Sequence, residues 1–133
     1  MLSATQTAQQ FVALINSHDF DAITALLAPD HRFIDSLGGE AQGREQLRDG
    51  WRQYFRMVPD YRIDVQRVLT DGAHVVLLGV AGGTYAPDGV LRAQNAWSTP
   101  VALRALITDG LIAEWQVYAD NEPVRRRMAD ASA

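Results

Sequence analysis

Asp35 is the residue best placed for chemistry in this sequence. It lies in Phe33-Ile34-Asp35-Ser36-Leu37, directly ahead of the turn-rich run Gly38-Gly39-Glu40-Ala41-Gln42-Gly43. A carboxylate in apolar surroundings has its charged form destabilised, so it can take up and return a proton at neutral pH. A turn-capping or solvated aspartate is the competing reading. Arg104 is the second odd residue, because it interrupts the apolar runs Val101-Ala102-Leu103 and Ala105-Leu106-Ile107. Facing inward, it would pair with Asp35 or grip an anion bidentately. Facing outward, it is one rung of an exposed or dimer-facing ladder. Trp51, Tyr54, Phe55, Trp97 and Trp115 supply aromatic surface of the kind that lines a pocket for a planar or alicyclic ligand, or equally a plain core. Gly50, inside a helix beside Trp51, costs roughly 1 kcal/mol against alanine. It points to a space requirement: either close packing or room for a ligand.

Other constellations are weaker. Arg44, Arg48, Arg52 and Arg56 recur at four-residue spacing and form one basic ridge, read as a solvated face with Glu45 and Asp49 near enough to relieve it. His18, His31 and His74 have no ligand-type spacing and there is no cysteine, so neither a metal site nor a cofactor is expected. No glycine-rich phosphate loop or serine nucleophile elbow is present.

The elements that must position these residues are legible. Ser3 with Gln6 reads as a capping box for a helix carrying Ala4, Ala8, Phe11 and Ile15 on one stripe and ending near His18. Asp19 caps a short second helix with Ile23, Leu26 and Leu27, stopped by Pro29. A short strand is predicted over Arg32–Leu37 and a third helix over Arg44–Val58, which Pro59 ends. From Tyr61 the period changes to two, with Tyr61, Ile63, Val65 and Arg67 on one face. Asp71-Gly72, Pro87-Asp88-Gly89 and Asp109-Gly110 then separate strands over about 74–85, 97–108 and 111–120. The expectation is an α+β fold: three N-terminal helices packed on a curved antiparallel sheet that forms a cone-shaped pocket.

All 133 residues form one domain in this reading, with 47% hydrophobic and 21% charged residues. A net charge of −4 argues against general nucleic-acid binding. No stretch is apolar for long enough to span a bilayer and the N-terminus lacks a signal-peptide pattern, so a cytoplasmic protein with no membrane partner is expected. The strands Val75–Val80 and Val101–Ile107 are apolar on both faces, from which we expect a homodimer.

Several segments in order resemble the SnoaL-like and ketosteroid-isomerase-like proteins of the nuclear transport factor 2-like superfamily. They are Phe11–Asn16, Asp19–Ile23, Leu26–Asp30, Phe33–Asp35, Gly43–Leu47 and Asp109–Trp115. The resemblance implies the cone fold and places Asp35 on the general base of the isomerases. It also places Phe11 where they carry a tyrosine, and Ala102 or Leu103 where they carry a protonated aspartic acid. Each missing oxyanion donor is worth roughly a hundred- to a thousandfold in rate, which argues against steroid isomerisation. The last strand further resembles limonene-type epoxide hydrolases, but Val117 stands where they have an aspartate of the water-activating set. That match puts Trp115 and Val117, with Ala113 and Ala119, on the cone side. The resulting expectation is a proton-transferring isomerase- or cyclase-like enzyme acting on a small hydrophobic cyclic molecule. Asp35 and Arg104 are its candidate catalytic residues, and Phe11, Trp51, Tyr54, Phe55, Trp97, Trp115 and Val117 its ligand contacts. A non-catalytic ligand-binding or accessory dimeric module is the alternative from a different class, and an epoxide-hydrolase-like enzyme is a further one.

Overall fold

Ser3 starts the first helix by accepting from Gln6 N at 3.1 Å, while the Gln6 side chain accepts from Ser3 N at 2.9 Å. A computed structural model describes residues 2–132. Helix α1 (Ala4–Ser17) ends at His18, whose left-handed φ of 56° turns the chain. Its ring then stacks on Phe55 and donates from Nε2 to the Tyr61 carbonyl at 2.8 Å. Asp19 caps α2 (Phe20–Leu26) through Ala22 N. There follow β1 (Leu27–Ile34), β2 (Glu40–Gln42), α3 (Arg44–Met57), β3 (Arg62–Asp71) and β4 (His74–Thr84). A 3₁₀ turn at Ala93–Asn95 leads to β5 (Ala96–Thr108), β6 (Leu111–Ala119) and α4 (Glu122–Ser132).

The six strands form one curved, unclosed sheet in the order β2-β1-β6-β5-β4-β3, so the α+β cone architecture is as expected. Two details differ. Strand β1 pairs parallel with β6, which makes the sheet mixed. This is possible because the long connection from β1 to β6 is not a tight hairpin. Strand β1 also starts at Leu27, before Pro29. Proline cannot donate to a ladder, and the β1–β6 register shifts between Leu27 and Arg32, where it sits. A fourth helix, unforeseen, follows β6. Its first turn is held by Asp120, which accepts from Glu122 N at 2.9 Å.

Side-chain alternation sorts the sheet into two faces. Val75, Leu77, Ala81, Val101, Leu103, Ala105 and Trp115 are buried on the inner face, under Ala8, Phe11 and Ile15 of α1 and Leu47 and Phe55 of α3. Two bulges re-phase this pattern. Between Val65 and Arg67 the shift sends Arg67 opposite Leu78 on the outer face, and Val68 takes the inner place opposite Leu77. Between Leu106 and Ile107 a second shift makes Ile112, rather than Ala113, the fully buried residue. Gly79 lies on the inner face beside the first bulge, and a Cβ there would stand 2.0 Å from the Asp64 carbonyl oxygen. Strand β3 thus folds closely over β4 where β4 has no side chain.

The basic ridge of α3 is largely used up in packing against its neighbours. Arg44 donates from Nε to the Leu27 carbonyl at 3.0 Å, Arg48 pairs with Asp21 at 2.6 Å, and Arg52 lies over the Phe20 ring. His31 is buried and ties β1 to β6, with Nδ1 donating to the Ile112 carbonyl at 2.7 Å. Burial pushes its pKa below the ordinary histidine value, which keeps the ring neutral. Among the described residues no helix is long and apolar enough to cross a membrane.

Candidate functional site

Between α3 and the inner face of the sheet lies a cavity of about 620 Å³. Helix α3 contributes Leu47, Gly50, Trp51 and Tyr54, spaced by one turn or less along one side. The sheet contributes Phe33, Ala81, Trp97, Thr99, Val101, Trp115, Val117 and Ala119, and α4 contributes Val124. A Cβ on Gly50 would meet nothing within 4 Å. Close packing therefore does not account for this glycine.

Asp35 lines this cavity at the end of β1 and is half-buried. Its Oδ1 accepts from Leu37 N at 2.8 Å and from Gly39 N at 2.9 Å. Asp35 thus caps the turn and also lines the cavity. Oδ2 has no hydrogen bond among the described residues. Gly39 is what leaves it room, since a Cβ there would come within 2.6 Å of Oδ2.

Arg104 lies outside the site. On β5 it alternates with Leu103 and Ala105 and so points away from the cavity. There it pairs with Glu114 at 2.9 Å and donates to Gln116 at 2.9 Å. Glu114 also binds Arg32, itself paired with Glu40, so a charged ladder crosses the outer face. Two cationic partners hold the Glu114 carboxyl below its usual range, Arg104 being the stronger influence. Phe11 and Phe55 are corrected too. Both are buried in the core and neither lines the cavity. Phe11 instead supports two wall residues edge-on, Trp115 at 4.8 Å and Trp51 at 6.5 Å between centroids. Trp51, Tyr54, Trp97, Trp115 and Val117 do line it.

Sequence reasoning missed Tyr61. The end of α3 explains its position: Val58 N donates to the Tyr54 carbonyl and Tyr61 N to the Val58 carbonyl, a double turn that folds Tyr61 back beside Tyr54. Their rings meet edge-on at 4.9 Å, and Tyr61 lies 6.2 Å from Trp97. The legible signal was its share in the inward parity of Ile63. Burial pushes the Tyr61 hydroxyl up to about 12 and the Tyr54 hydroxyl up as well, so both stay protonated. The described lining includes no Lys, Arg or His; its only charged side chains are Asp35 and Asp49.

The sequence matches the SnoaL-like domain family over residues 8–115. The chain belongs to that family. Among curated proteins none matches. Solved structures place the SnoaL-like chain beside several relatives. A Catenulispora acidiphila protein of ketosteroid isomerase-like fold, solved with trimethylamine, is 20% identical, with a TM-score of 0.78 over 92% of each chain. A candidate SnoaL-like polyketide cyclase from Shewanella putrefaciens is 15% identical, with a TM-score of 0.81 over 98% of this chain and 88% of that one. An M. tuberculosis LEH-like epoxide hydrolase is 18% identical, with a TM-score of 0.78 over 96% and 90%. At such identities the likeness shows the fold. Chemistry must come from the residues.

Proposed function

We propose that this SnoaL-like chain is a small-molecule isomerase or cyclase in which Asp35 moves a proton on a hydrophobic, ring-containing ligand. One observation supports this above the rest: a carboxylate with a free oxygen lines an aromatic cavity in which no described side chain is cationic. In the proposed step the Asp35 carboxylate takes a proton from a carbon next to a ligand carbonyl. The C–H electron pair passes into an enolate, and the carboxylic acid returns the proton to another carbon. No cofactor is required for that sequence. Val117, where an epoxide hydrolase needs an acid, argues against water activation.

Exchange of the α-protons of 2-tetralone in deuterated buffer, followed by NMR, tests the step without knowledge of the natural substrate. The protein should accelerate exchange over buffer, and Asp35→Asn should lose roughly a hundred- to ten-thousandfold of that acceleration. Binding of the ketone without exchange would leave a non-catalytic binding module instead.

The same reading takes the outer sheet face as the contact between two copies. Val76, Leu78, Val80, Ala102 and Leu106 are half-buried there, beside exposed Leu69 and Tyr118. Sedimentation at micromolar concentration should give a dimer, and a clean monomer would refute this.

A further inference from the structure

The basic ridge of α3 offers Asp49 a partner in Arg48 or Arg52, and it takes neither. Arg48 pairs with Asp21 and Arg52 lies over Phe20. The Asp49 carboxylate forms no hydrogen bond or ion pair among the described residues and lines the cavity instead. Helical spacing sets what surrounds it. Gln46, Asp49 and Gln53 fall on one exposed strip of α3 along the cavity mouth, while Leu47, Trp51 and Tyr54 fall on the inner strip. Asp35 brings a second carboxylate, with its Oδ2 unpartnered among the described residues. Of the twelve basic side chains in the sequence, none belongs to the described lining. The cavity is thus acidic and polar at its mouth and aromatic within, with no counter-charge from the described lining.

We infer that the ligand carries the counter-charge: it is a ring-bearing ammonium, its charged nitrogen toward Asp49 and its ring among Trp51, Tyr54, Trp97 and Trp115. This rests on the reading of the cavity as a small-molecule site, not on the proton step, and adds the class of molecule it takes. Three effects favour a cation. Two carboxylates with no cation beside them in the lining set up a negative potential, which apolar walls concentrate. Aromatic rings attract a cation through their electron-rich faces. An ammonium held at the exposed mouth keeps part of its water, while the ring behind it gains the full benefit of burial. A carboxylate or phosphate meets the opposite potential at the same mouth. A neutral ring gains the burial but leaves both carboxylates unanswered. A cyclic amine that also bears a carbonyl satisfies this seat and the proposed proton transfer together.

Calorimetry at pH 7 with three probes of one shape tests the assignment: 2-aminotetralin as the ammonium, 2-tetralol as its neutral counterpart, and tetralin-2-carboxylate as the anion. An ammonium is far better hydrated than an alcohol, so a purely apolar pocket prefers 2-tetralol. The wild type should instead bind the amine about fivefold or more tightly than the alcohol, with the carboxylate weakest. Raising salt from about 20 to 500 mM should narrow that preference while alcohol binding holds. Asp49→Asn, an exposed substitution, should lower amine affinity about two- to fivefold and leave the alcohol unchanged. Asp35→Asn with Asp49→Asn should remove the preference. Wild-type binding of the alcohol or the carboxylate as tightly as the amine overturns the assignment whether or not the variants fold. So does an amine preference that survives high salt or the double substitution. If the amine preference holds but α-proton exchange of 2-tetralone is absent, the seat stands and the Asp35 chemistry falls. Exchange without an amine preference does the reverse. If none of the three binds, the cavity reading falls and takes the seat with it.

Discussion

Trp115→Ala should lower stability by about 3–5 kcal/mol, the range for deleting a large buried aromatic. Trp115 is 1% exposed and sits on β6 opposite Ala105 and Phe33, so a small neighbour on one strand leaves its volume to be filled by the indole alone. Phe11 meets it edge-on at 4.8 Å, a contact worth about 0.5–1.5 kcal/mol beyond burial. Neither neighbouring strand can close the gap, because both are held by backbone ladders. Since Trp115 also lines the cavity, the deleted volume should join the ligand space. Urea unfolding would read the loss as a lower midpoint at unchanged slope. Trp115→Phe should recover much of it. A loss under about 1.5 kcal/mol would mean that the wall collapses onto the vacancy and that the cavity has no fixed shape.

Gly79→Ala should be about as damaging, although it adds only a methyl group. Overpacking usually costs about 1–3 kcal/mol because flexible side chains give way. Here the obstacle is backbone: the Asp64 carbonyl oxygen would lie 2.0 Å from the new carbon. Relief requires moving β3, which carries Ile63 and Val65 into the core. The expected result is a loss of about 3 kcal/mol or more, with faster amide exchange concentrated in β3 and β4. Gly50→Ala is the control, since its methyl would enter open space. Equal effects of the two would show that the β3 bend is not what Gly79 protects.

The same bend marks where the sequence stopped being readable. Helix starts were legible because their caps are local: Ser3 with Gln6, and Asp19 with Ala22. Strand periods were legible until a bulge shifted them, which is why Arg67 and Ala113 were assigned to the wrong face. A bulge is specified by the partner strand as much as by its own residues. Arg104 illustrates the converse. Its alternation with Leu103 and Ala105 was in the sequence, yet the choice of face needed Glu114 and Gln116 from β6 opposite. Tyr61 was missed for a third reason, since its place beside Tyr54 depends on how one helix end folds back. The aromatic residues named in advance separate into wall (Trp51, Tyr54, Trp97, Trp115) and support (Phe11, Phe55), a distinction that composition does not carry.

The parallel pairing of β1 with β6 bears on how the chain reaches its native state. His31 and Ile112, joined across that pairing, are 81 residues apart. Until β6 exists, β1 has an open hydrogen-bonding edge, and the apolar stripe of α1 lacks Trp115 to rest on. A nascent chain must therefore carry its first two helices and first strand with unfinished contacts through most of its synthesis. Distant pairing of this kind slows folding and prolongs the exposure of sticky surface. The last strand to be made is thus the one that closes the structure begun by the first.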